Sequence, residues 1–187
     1  MTSPLLRLYI AASLDGFIAT ADGGVSWLDP YNEPELGYDQ LMKSVGTVVM
    51  GRATYEQAIG FPGPWPNVGK KTIVLTSRPL KSPPKDVERW AGDVGSLADH
   101  LRTSSKKDVW ICGGARTVRA FLDLDQVDRI ELYVIPVLLG DGLPLFERSP
   151  HHSRLRLERS RSFKNGVVQL IYDFRANARA RPGSAVE

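Results

Sequence analysis

Residues 109–117 have the sequence Val-Trp-Ile-Cys-Gly-Gly-Ala-Arg-Thr, which is a short apolar run, two glycines and the start of a helix. Residues 48–54, Val-Val-Met-Gly-Arg-Ala-Thr, follow the same plan. Residues 72–78, Thr-Ile-Val-Leu-Thr-Ser-Arg, contain a third apolar run, which is followed by two hydroxyl side chains and an arginine. Apolar strands that alternate with helices are typical of a mostly parallel sheet, in which the carboxyl ends of the strands lie at one edge. The three stretches therefore predict one sheet with three polar strand ends on the same side.

The flanking segments complete an α/β pattern. Residues 5–13 are apolar on both faces, which predicts a strand inside a sheet covered on both sides. Residues 35–45 predict a helix, because their apolar side chains recur at helical spacing. Asn165-Gly166 favours a two-residue hairpin turn. We expect further strands at 87–91 and 130–134 and further helices at about 96–102, capped by Ser96, and around 118–122. The predicted fold class is α/β, a mostly parallel central sheet with helices on both faces and a C-terminal antiparallel hairpin.

The composition indicates a globular protein that needs no disulfide bond or structural metal for its stability. The chain has 187 residues, of which 42% are hydrophobic, and this length fits one domain. We expect a single domain over residues 1–175 and a disordered tail over 176–187. Cys112 is the only cysteine, which excludes an internal disulfide and a CxxC site. It lies in an apolar run, so a buried, inert thiol is expected.

Other features exclude some classes of partner. His151-His152 has no further ligand at metal spacing, so no metal site is predicted. No apolar run approaches the roughly 20 residues that span a bilayer. We therefore expect no membrane partner and a cytoplasmic location.

The basic residues are concentrated near the C-terminus. Residues 148–181 contain eight arginines and Lys164, against Glu158 and Asp173. A basic face can bind nucleic acid. However, residues 154–160 alternate as a half-exposed strand does, and no aromatic residues lie between the arginines to stack on bases. The favoured interpretation is a solvated strand face, with no nucleic acid expected.

The three polar strand ends are suited to phosphate. A helix N-terminus offers free N–H groups and the positive end of its dipole. Glycine allows close approach of the backbone, and arginine adds a forked donor. A single Gly-Gly between strand and helix is most often only a tight turn. Three such ends together suggest a dinucleotide with an extra phosphate, which is NADPH. The chain lacks both the G-x-G-x-x-G fingerprint and the phosphate-binding loop G-x-x-x-x-G-K-[ST].

A family resemblance extends to about Phe174. It is carried by the stretches Ala11-Ala12-Ser13-Leu14-Asp15-Gly16-Phe17-Ile18-Ala19, Trp27, Met50-Gly51-Arg52-Ala53-Thr54-Tyr55-Glu56, Ile73-Val74-Leu75-Thr76-Ser77-Arg78, Gly113-Gly114-Ala115-Arg116 and Pro136-Val137-Leu138-Leu139-Gly140-Asp141-Gly142-Leu143-Pro144-Leu145-Phe146. In order and spacing this set resembles the dihydrofolate reductase fold. Within that superfamily it resembles the RibD C-terminal type, the reductase domain of riboflavin biosynthesis.

The resemblance implies NADPH bound across the sheet. Gly51, Arg52 and Thr54 would contact the phosphates. Thr76, Ser77 and Arg78 would bind the 2′-phosphate. The nicotinamide would lie against Ala12 and Ile18. The pyrophosphate would be held by the residues that follow the strand at 109–112, namely Gly113, Gly114, Ala115, Arg116 and Thr117.

The resemblance also implies candidates for the substrate side. A carboxylate at the start of the first long helix would assist protonation of the substrate, and Glu35 is the first candidate and Asp39 the second. Asp39 would share the helix face of Glu35 at i+4. Asp15 is a third catalytic candidate, with a turn-forming role as the alternative. Trp27 and Tyr38 are expected to contact the substrate, although Trp27 could instead pin its loop.

The expected activity is hydride transfer from NADPH to a C=N or C=O group of a small heterocyclic or ribosyl substrate. This activity is related to that of 5-amino-6-(5-phosphoribosylamino)uracil reductase. Phe17 stands where riboflavin-pathway reductases commonly carry lysine, and the motifs of their zinc deaminase half are absent. The alternatives are a dihydrofolate reductase, a non-catalytic domain that binds nucleotide or nucleic acid, and an NADPH-binding protein that has lost its substrate. The resemblance implies a homodimer, in which residues 134–139 could lie in the interface or fill the core.

Overall fold

The computed structural model describes residues 3–149 and 154–174. The predicted tail at 176–187 and the pair His151-His152 lie outside the described residues. The helices are α1 (Tyr38–Ser44), α2 (Arg52–Gly60), α3 (Val94–Ser104) and α4 (Ala115–Asp123), with 3-10 turns at Ser26–Tyr31 and Pro34–Leu36. The strands are β1 (Leu6–Ser13), β2 (Phe17–Ala19), β3 (Val45–Gly51), β4 (Lys71–Leu75), β5 (Val87–Trp90), β6 (Asp108–Gly113), β7 (Arg129–Ile135), β8 (Leu143–Pro144), β9 (Arg156–Ser162) and β10 (Val168–Asp173).

The main sheet has eight strands in the order β5-β4-β3-β6-β1-β7-β10-β9. The first six strands in this order are parallel, and β10 pairs antiparallel to both β7 and β9. The predicted parallel sheet with a C-terminal antiparallel hairpin is thereby confirmed. Strands β4, β3 and β6, which carry the three polar ends, are adjacent.

Helices cover the two faces of the sheet as predicted. One apolar cluster joins α3 and α4 to the sheet and includes Leu97, Leu101 and Phe121, all fully buried. The cluster on the opposite face joins α1 and α2 to the sheet through Leu41 and Tyr55. We refer to the two sides as the α3/α4 face and the α1/α2 face. No described helix is long and apolar enough to cross a membrane, and the cytoplasmic location stays a prediction.

Three local predictions were wrong, and one small sheet was missed. The hairpin turn predicted to have two residues at Asn165-Gly166 is a three-residue loop over 164–166, because the Phe163 N–H donates to the carbonyl of Val167 and only Gly166 of the pair has a positive φ. The helix predicted over 35–45 is interrupted at Gly37, whose φ of +85° is left-handed, so only α1 is α-helical. Helix α3 is capped by Asp93, whose carboxylate accepts from the backbone N–H of Ser96, rather than by Ser96 itself. The small sheet of β2 and β8 was not predicted, because it pairs two short segments that are distant in sequence.

Asp128 ties the start of β1 to α3 and β7. Its carboxylate accepts from the backbone N–H of Leu6 at 2.7 Å and from Arg102 Nη1 at 3.0 Å, and its side chain is buried. The backbone N–H of Asp128 donates to the carbonyl of Leu6. These two contacts between Asp128 and Leu6 fix the register of β1 relative to β7.

We expect Asp128→Ala to lower the free energy of unfolding by about 3 kcal/mol, because it leaves the Arg102 charge and the Leu6 N–H without their acceptor. Urea denaturation measures this change. The control is Asp86→Ala, at an exposed aspartate, where the change should stay within about 0.5 kcal/mol. Equal stability of the two variants would contradict the role given to Asp128.

Candidate functional site

A notch opens between β1 and β6 at the carboxyl edge of the sheet. The pairing of β1 with β6 runs from Leu6–Val109 only to Leu8–Ile111. The pairing of β1 with β7 continues to Ser13–Ile135. Beyond Leu8, β1 therefore follows β7 and leaves β6. We call the gap between residues 9–13 of β1 and residues 112–114 the β1–β6 notch. Ligands of open α/β sheets bind at such a place, outside the carboxyl ends of the strands.

Two helices begin beside this notch without side-chain caps. Gly51 precedes α2 and Gly114 precedes α4, and neither helix has a side-chain cap or an acidic residue in its first turn. Helix α3, which follows β5, carries the Asp93 cap instead. The free N–H groups of α2 and α4 are therefore available to an anion.

The two uncapped helix starts lie close together. A Cβ placed on Gly51 would lie 2.8 Å from Thr117 Oγ1 and 4.0 Å from the backbone nitrogen of Gly114. A Cβ on Gly114 would lie 3.4 Å from Thr54 Oγ1. The peptide between Gly113 and Gly114 is cis, and Gly113 has a φ of +129°. Glycine at these positions keeps the backbone accessible between two hydroxyls, so the structure brings together the strand ends that the sequence singled out.

Arginines cluster at the third strand end, after β4. Arg52 is committed to protein acceptors, since Nε donates to Glu56 at 2.6 Å and Nη1 donates to the carbonyls of Arg78 and Pro79 at 3.4 and 3.2 Å. Arg52 therefore braces the 76–79 turn. Arg78 itself is exposed and forms no ion pair within the described residues. Arg89 of β5, which no local sequence pattern singled out, also belongs to this turn, because its Nη1 donates to the Ser77 carbonyl at 2.8 Å.

Aromatic side chains lie on the α1/α2 side of the notch. Tyr38 meets Trp110 edge-on, with ring centroids 6.0 Å apart. Burial, and then the neighbouring Cys112 and Asp39, raises the pKa of the Tyr38 hydroxyl. Burial raises the pKa of the Cys112 thiol to about 12. A neutral thiol is a poor nucleophile, which agrees with the predicted inert role.

Trp27 packs into an apolar cluster with Tyr133, Phe163 and Leu36. This placement fits a residue that pins the segment around the two 3-10 turns to the sheet. Its Nε1 is buried without a hydrogen-bond partner among the described residues. A contact of Trp27 with substrate stays a prediction.

The two carboxylates that were predicted to protonate the substrate, Glu35 and Asp39, do not lie on one helix face, because Gly37 interrupts the helix between them. Glu35 lies in the 3-10 turn Pro34–Leu36, and Asp39 lies in the first turn of α1; both are exposed. The turn that carries Glu35 is held at the carbonyl of Leu36, which accepts from the hydroxyls of Tyr9 and Tyr133.

Ala12 and Ile18, the residues predicted to line the nicotinamide, belong to the apolar cluster of the α3/α4 face. Ala12 is only 3% exposed, so it offers a ligand mainly its backbone. Ile18 is half-buried in β2, whose partner strand β8 holds it in place. A Cβ on Gly142 would lie 2.2 Å from the carbonyl oxygen of Ala19, so only glycine allows this approach of the two segments.

Asp15 anchors the loop that connects β7 to β8. Its carboxylate accepts from the Ser13 hydroxyl at 2.6 Å and from the backbone N–H groups of Leu139 and Gly140 at 3.2 and 2.7 Å. The Ser13 hydrogen bond, followed by those from the backbone, holds the pKa of Asp15 below its usual value. An acid with a lowered pKa is ionised at neutral pH and has no proton to donate, so this geometry fits the turn-forming alternative.

Two basic residues of the C-terminal hairpin, Arg156 and Arg161, have partners within the protein, and Arg129 of β7 pairs with the hairpin residue Glu158. Arg156 contacts Asp173 at 2.7 Å, Arg129 contacts Glu158 at 2.8 Å, and the Arg161 guanidinium lies 4.5 Å from the centre of the Phe163 ring. No group of three or more His, Cys, Asp and Glu side chains in residues 3–149 and 154–174 could hold a metal ion.

The strand order and the polar carboxyl edge define a protein with the dihydrofolate reductase-like fold. A dihydrofolate reductase from Enterococcus faecalis, solved with NADP(H), superposes with a TM-score of 0.66 at 19% identity over 90% of this chain and 95% of that one. At this identity the likeness shows the fold alone.

Sequence comparison then identifies the family. The profile of the RibD C-terminal domain matches residues 67–169. The Bacillus subtilis protein YwjB, whose function is uncharacterized, is 36% identical over 88% of this chain and 95% of its own length. A candidate riboflavin biosynthesis protein from Shewanella sp. PV-4 superposes with a TM-score of 0.81 at 27% identity, over 90% of this chain and 98% of that one. The chain belongs to the RibD C-terminal domain family, a family of reductase domains.

The anchoring role of Asp15 predicts a pH-dependent loop. Because the pKa of Asp15 is depressed in the folded protein, the ionised carboxylate stabilises the loop at neutral pH, and this is lost as pH falls through the folded pKa. An NMR titration of the carboxyl carbon should give a value below the ordinary value of about 3.9.

Ser13→Ala removes the largest cause of the shift, so the Asp15 pKa should rise toward the ordinary value. Asp93, whose lowered pKa comes from Ser96 instead, is the internal control and should not move. A pKa of Asp15 that is unchanged in Ser13→Ala would contradict the anchor.

Proposed function

We propose that this protein is an NADPH-dependent reductase that acts on a C=N or C=O group of a small heterocyclic or ribosyl substrate. The observation that carries the proposal is the adjacency of the β1–β6 notch to two uncapped helix starts and an arginine-bearing turn. Membership of a reductase-domain family supports the same conclusion. NADPH, when bound, supplies the hydride.

The groups at the carboxyl edge fit the phosphates of this cofactor. Free N–H groups in the first turns of α2 and α4, with the hydroxyls of Thr54 and Thr117, form a cradle that side chains at Gly51 and Gly114 would fill. Helix dipoles and unpaired N–H groups favour negative charge there. The pyrophosphate would be held by this cradle, including residues 113–117 with the exposed Arg116.

The 2′-phosphate would be held at the turn after β4. Thr76 and Ser77 offer hydroxyls, and Arg78 offers a guanidinium that is exposed and uncommitted to an acidic residue of the described chain. Arg89, held against the Ser77 carbonyl, adds a second positive charge. Arg52 donates to the carbonyls of Arg78 and Pro79 in this turn. We therefore assign Arg52 to holding the turn in place rather than to binding the phosphate directly.

The substrate would approach from the α1/α2 face, beside Tyr38 and the turn that carries Glu35. The aromatic rings of Tyr38 and Trp110 are suited to a planar heterocycle. The exposed carboxylates of Glu35 and Asp39 lie on this side and are the candidates for delivering a proton to a reduced nitrogen or oxygen. Glu35 is the first candidate, because the Tyr9 and Tyr133 hydroxyls hold its turn in place.

Cofactor selectivity tests the proposal. We expect Arg78→Ala and Arg89→Ala each to weaken NADPH binding by roughly 10- to 100-fold, since each removes a charge-assisted contact with the 2′-phosphate. Binding of NADH, which lacks that phosphate, should not change. Isothermal titration of both cofactors measures this, with Lys85→Ala, at an exposed lysine before β5, as the control. Absence of NADPH binding to the wild type would overturn the proposal.

Steady-state NADPH oxidation then tests the proton donor. The two probes are the phosphoribosylaminouracil substrate of the riboflavin-type reductases and dihydrofolate. With the probe that is turned over, Glu35→Gln should lower kcat by roughly 100-fold and leave NADPH affinity unchanged. Asp39→Asn is the matched control and should retain most of the activity. The reverse order would assign the role to Asp39, and turnover of dihydrofolate alone would favour the folate reductase alternative.

A further inference from the structure

The two stretches of chain that border the β1–β6 notch on its α1/α2 side carry acidic charge and no basic charge. Residues 8–42, which run from β1 into α1, contain six aspartates and glutamates but no lysine, arginine or histidine. Residues 53–69, which comprise most of α2 and the loop after it, contain Glu56 and no basic residue. The chain as a whole has a net charge of +3, so this side departs in sign from the rest. We call residues 20–39, which hold five of these acids, the acidic segment.

The acidic segment is fixed to the protein on both sides of the notch. Near its start, the carbonyl of Gly23 accepts from Gln57 Nε2 of α2 at 2.8 Å. Near its end, the carbonyl of Leu36 accepts from the Tyr9 hydroxyl of β1 at 3.1 Å. The segment therefore runs from α2 to one of the two strands that bound the notch. A substrate that enters from the α1/α2 face has to pass beside it.

The negative charge of the acidic segment is not neutralised by basic side chains. Asp22 accepts from the Thr20 hydroxyl and from the backbone N–H of Gly24, and these hydrogen bonds hold its pKa below the usual value. Asp29 is exposed, as are Glu35 and Asp39. No carboxylate of the segment forms an ion pair within the described residues. The segment therefore presents uncompensated negative charge to a ligand.

The basic residues that flank the two acidic stretches are bound to protein acceptors. Arg7, which precedes the first stretch, forms ion pairs with Asp108 and Glu131. Lys70, which follows the second stretch, donates from Nζ to two backbone carbonyls at the end of α1, at 2.6 and 2.9 Å. Neither side chain is free to bind an anion in the notch.

The basic residues between the two stretches do not serve this side of the notch either. Lys43 lies in the last turn of α1, where its carbonyl accepts from Lys107 just before β6 begins, so it lies at the amino edge of the sheet. Arg52 holds the turn after β4. Arg78 and Arg116 lie at the carboxyl edge, but the proposed function assigns them to the cofactor phosphates. The substrate side is thus left without a cation.

We propose that the substrate carries no phosphate or carboxylate group and is a neutral or protonated nitrogen heterocycle. This inference rests on the proposed function and narrows the substrate class of the same site. A phosphate ester carries a charge of about −1.5 to −2 at pH 7 and would face the like charges of the acidic segment. A protonated nitrogen would be attracted by them, and the rings of Tyr38 and Trp110 can accept a planar cation.

The test compares two probes that differ only in a phosphate, 5-amino-6-ribosylaminouracil and its 5′-phosphate. Each is titrated calorimetrically into the protein saturated with NADP⁺, which occupies the cofactor site without donating a hydride. We expect the riboside to bind at least roughly 10-fold more tightly than the phosphate at low ionic strength. The ratio should fall as salt is added, because salt screens the repulsion between exposed charges.

Asp29→Lys reverses one charge of the acidic segment and leaves both candidate proton donors in place. We expect it to tighten binding of the 5′-phosphate by roughly 10-fold and to change binding of the riboside by less than about 2-fold. Asp99→Lys is the matched control, because it makes the same change of charge at an exposed residue of α3, which packs on the other face. It should leave both affinities as they are in the wild type.

The possible results separate this inference from the proposed function. A wild type that binds the 5′-phosphate as tightly as the riboside, or that binds NADPH but neither probe, would overturn the inference and leave the cofactor site standing. Equal effects of the two lysine variants on the 5′-phosphate would also overturn it, because the acidic segment would then not select against anions. Absence of NADPH binding, measured beforehand by titration with NADPH alone, would overturn the proposed function itself.

Discussion

The candidate site depends on where β1 stops pairing with β6. Both strands continue past Leu8 and Ile111, but β1 then follows β7 while β6 follows β3. A parallel sheet that stayed closed here would use the backbone groups of both strands in the ladder and leave none for a ligand. The separation leaves a notch with two helix N-termini beside it. Asp128 contributes to this arrangement, because it holds the start of β1 against β7.

The loops at the carboxyl edge are held by polar contacts rather than by an apolar core. Asp15 accepts two backbone N–H groups of the 137–142 segment, and Gly142 allows that segment to approach Ala19. Together they set β2, and with it Ile18, beside the notch. Asp15 therefore acts as an anchor of this loop, and the local motif around it could not distinguish that role from a catalytic one.

Charge is divided between the two faces of the hairpin end of the sheet. The arginines of β9 lie beside Asp173, Phe163 and Tyr133 on one face, whereas the other face is apolar and carries serines at its edge. In sequence the same residues form a single basic segment. Successive side chains of a strand point to opposite faces of the sheet, so the segment is divided between the two faces. The register with β10 then decides which face each residue joins.

The fold class and the polar strand ends could be predicted from the sequence, because apolar periodicity, glycine and turn chemistry act between near neighbours in the chain. The strands that end at Gly51 and Gly113 and the presence of a C-terminal hairpin around Asn165-Gly166 were predicted in this way, but the two-residue length of the turn was wrong. The helix predicted through Gly37 failed because periodicity does not reveal a left-handed residue. The tertiary structure alone decided that Arg52 donates to the carbonyls of Arg78 and Pro79, that Arg89 joins the same turn, and that β1 leaves β6. Each of these depends on contacts between segments far apart in the chain, and no local pattern encodes which distant partner a side chain will meet.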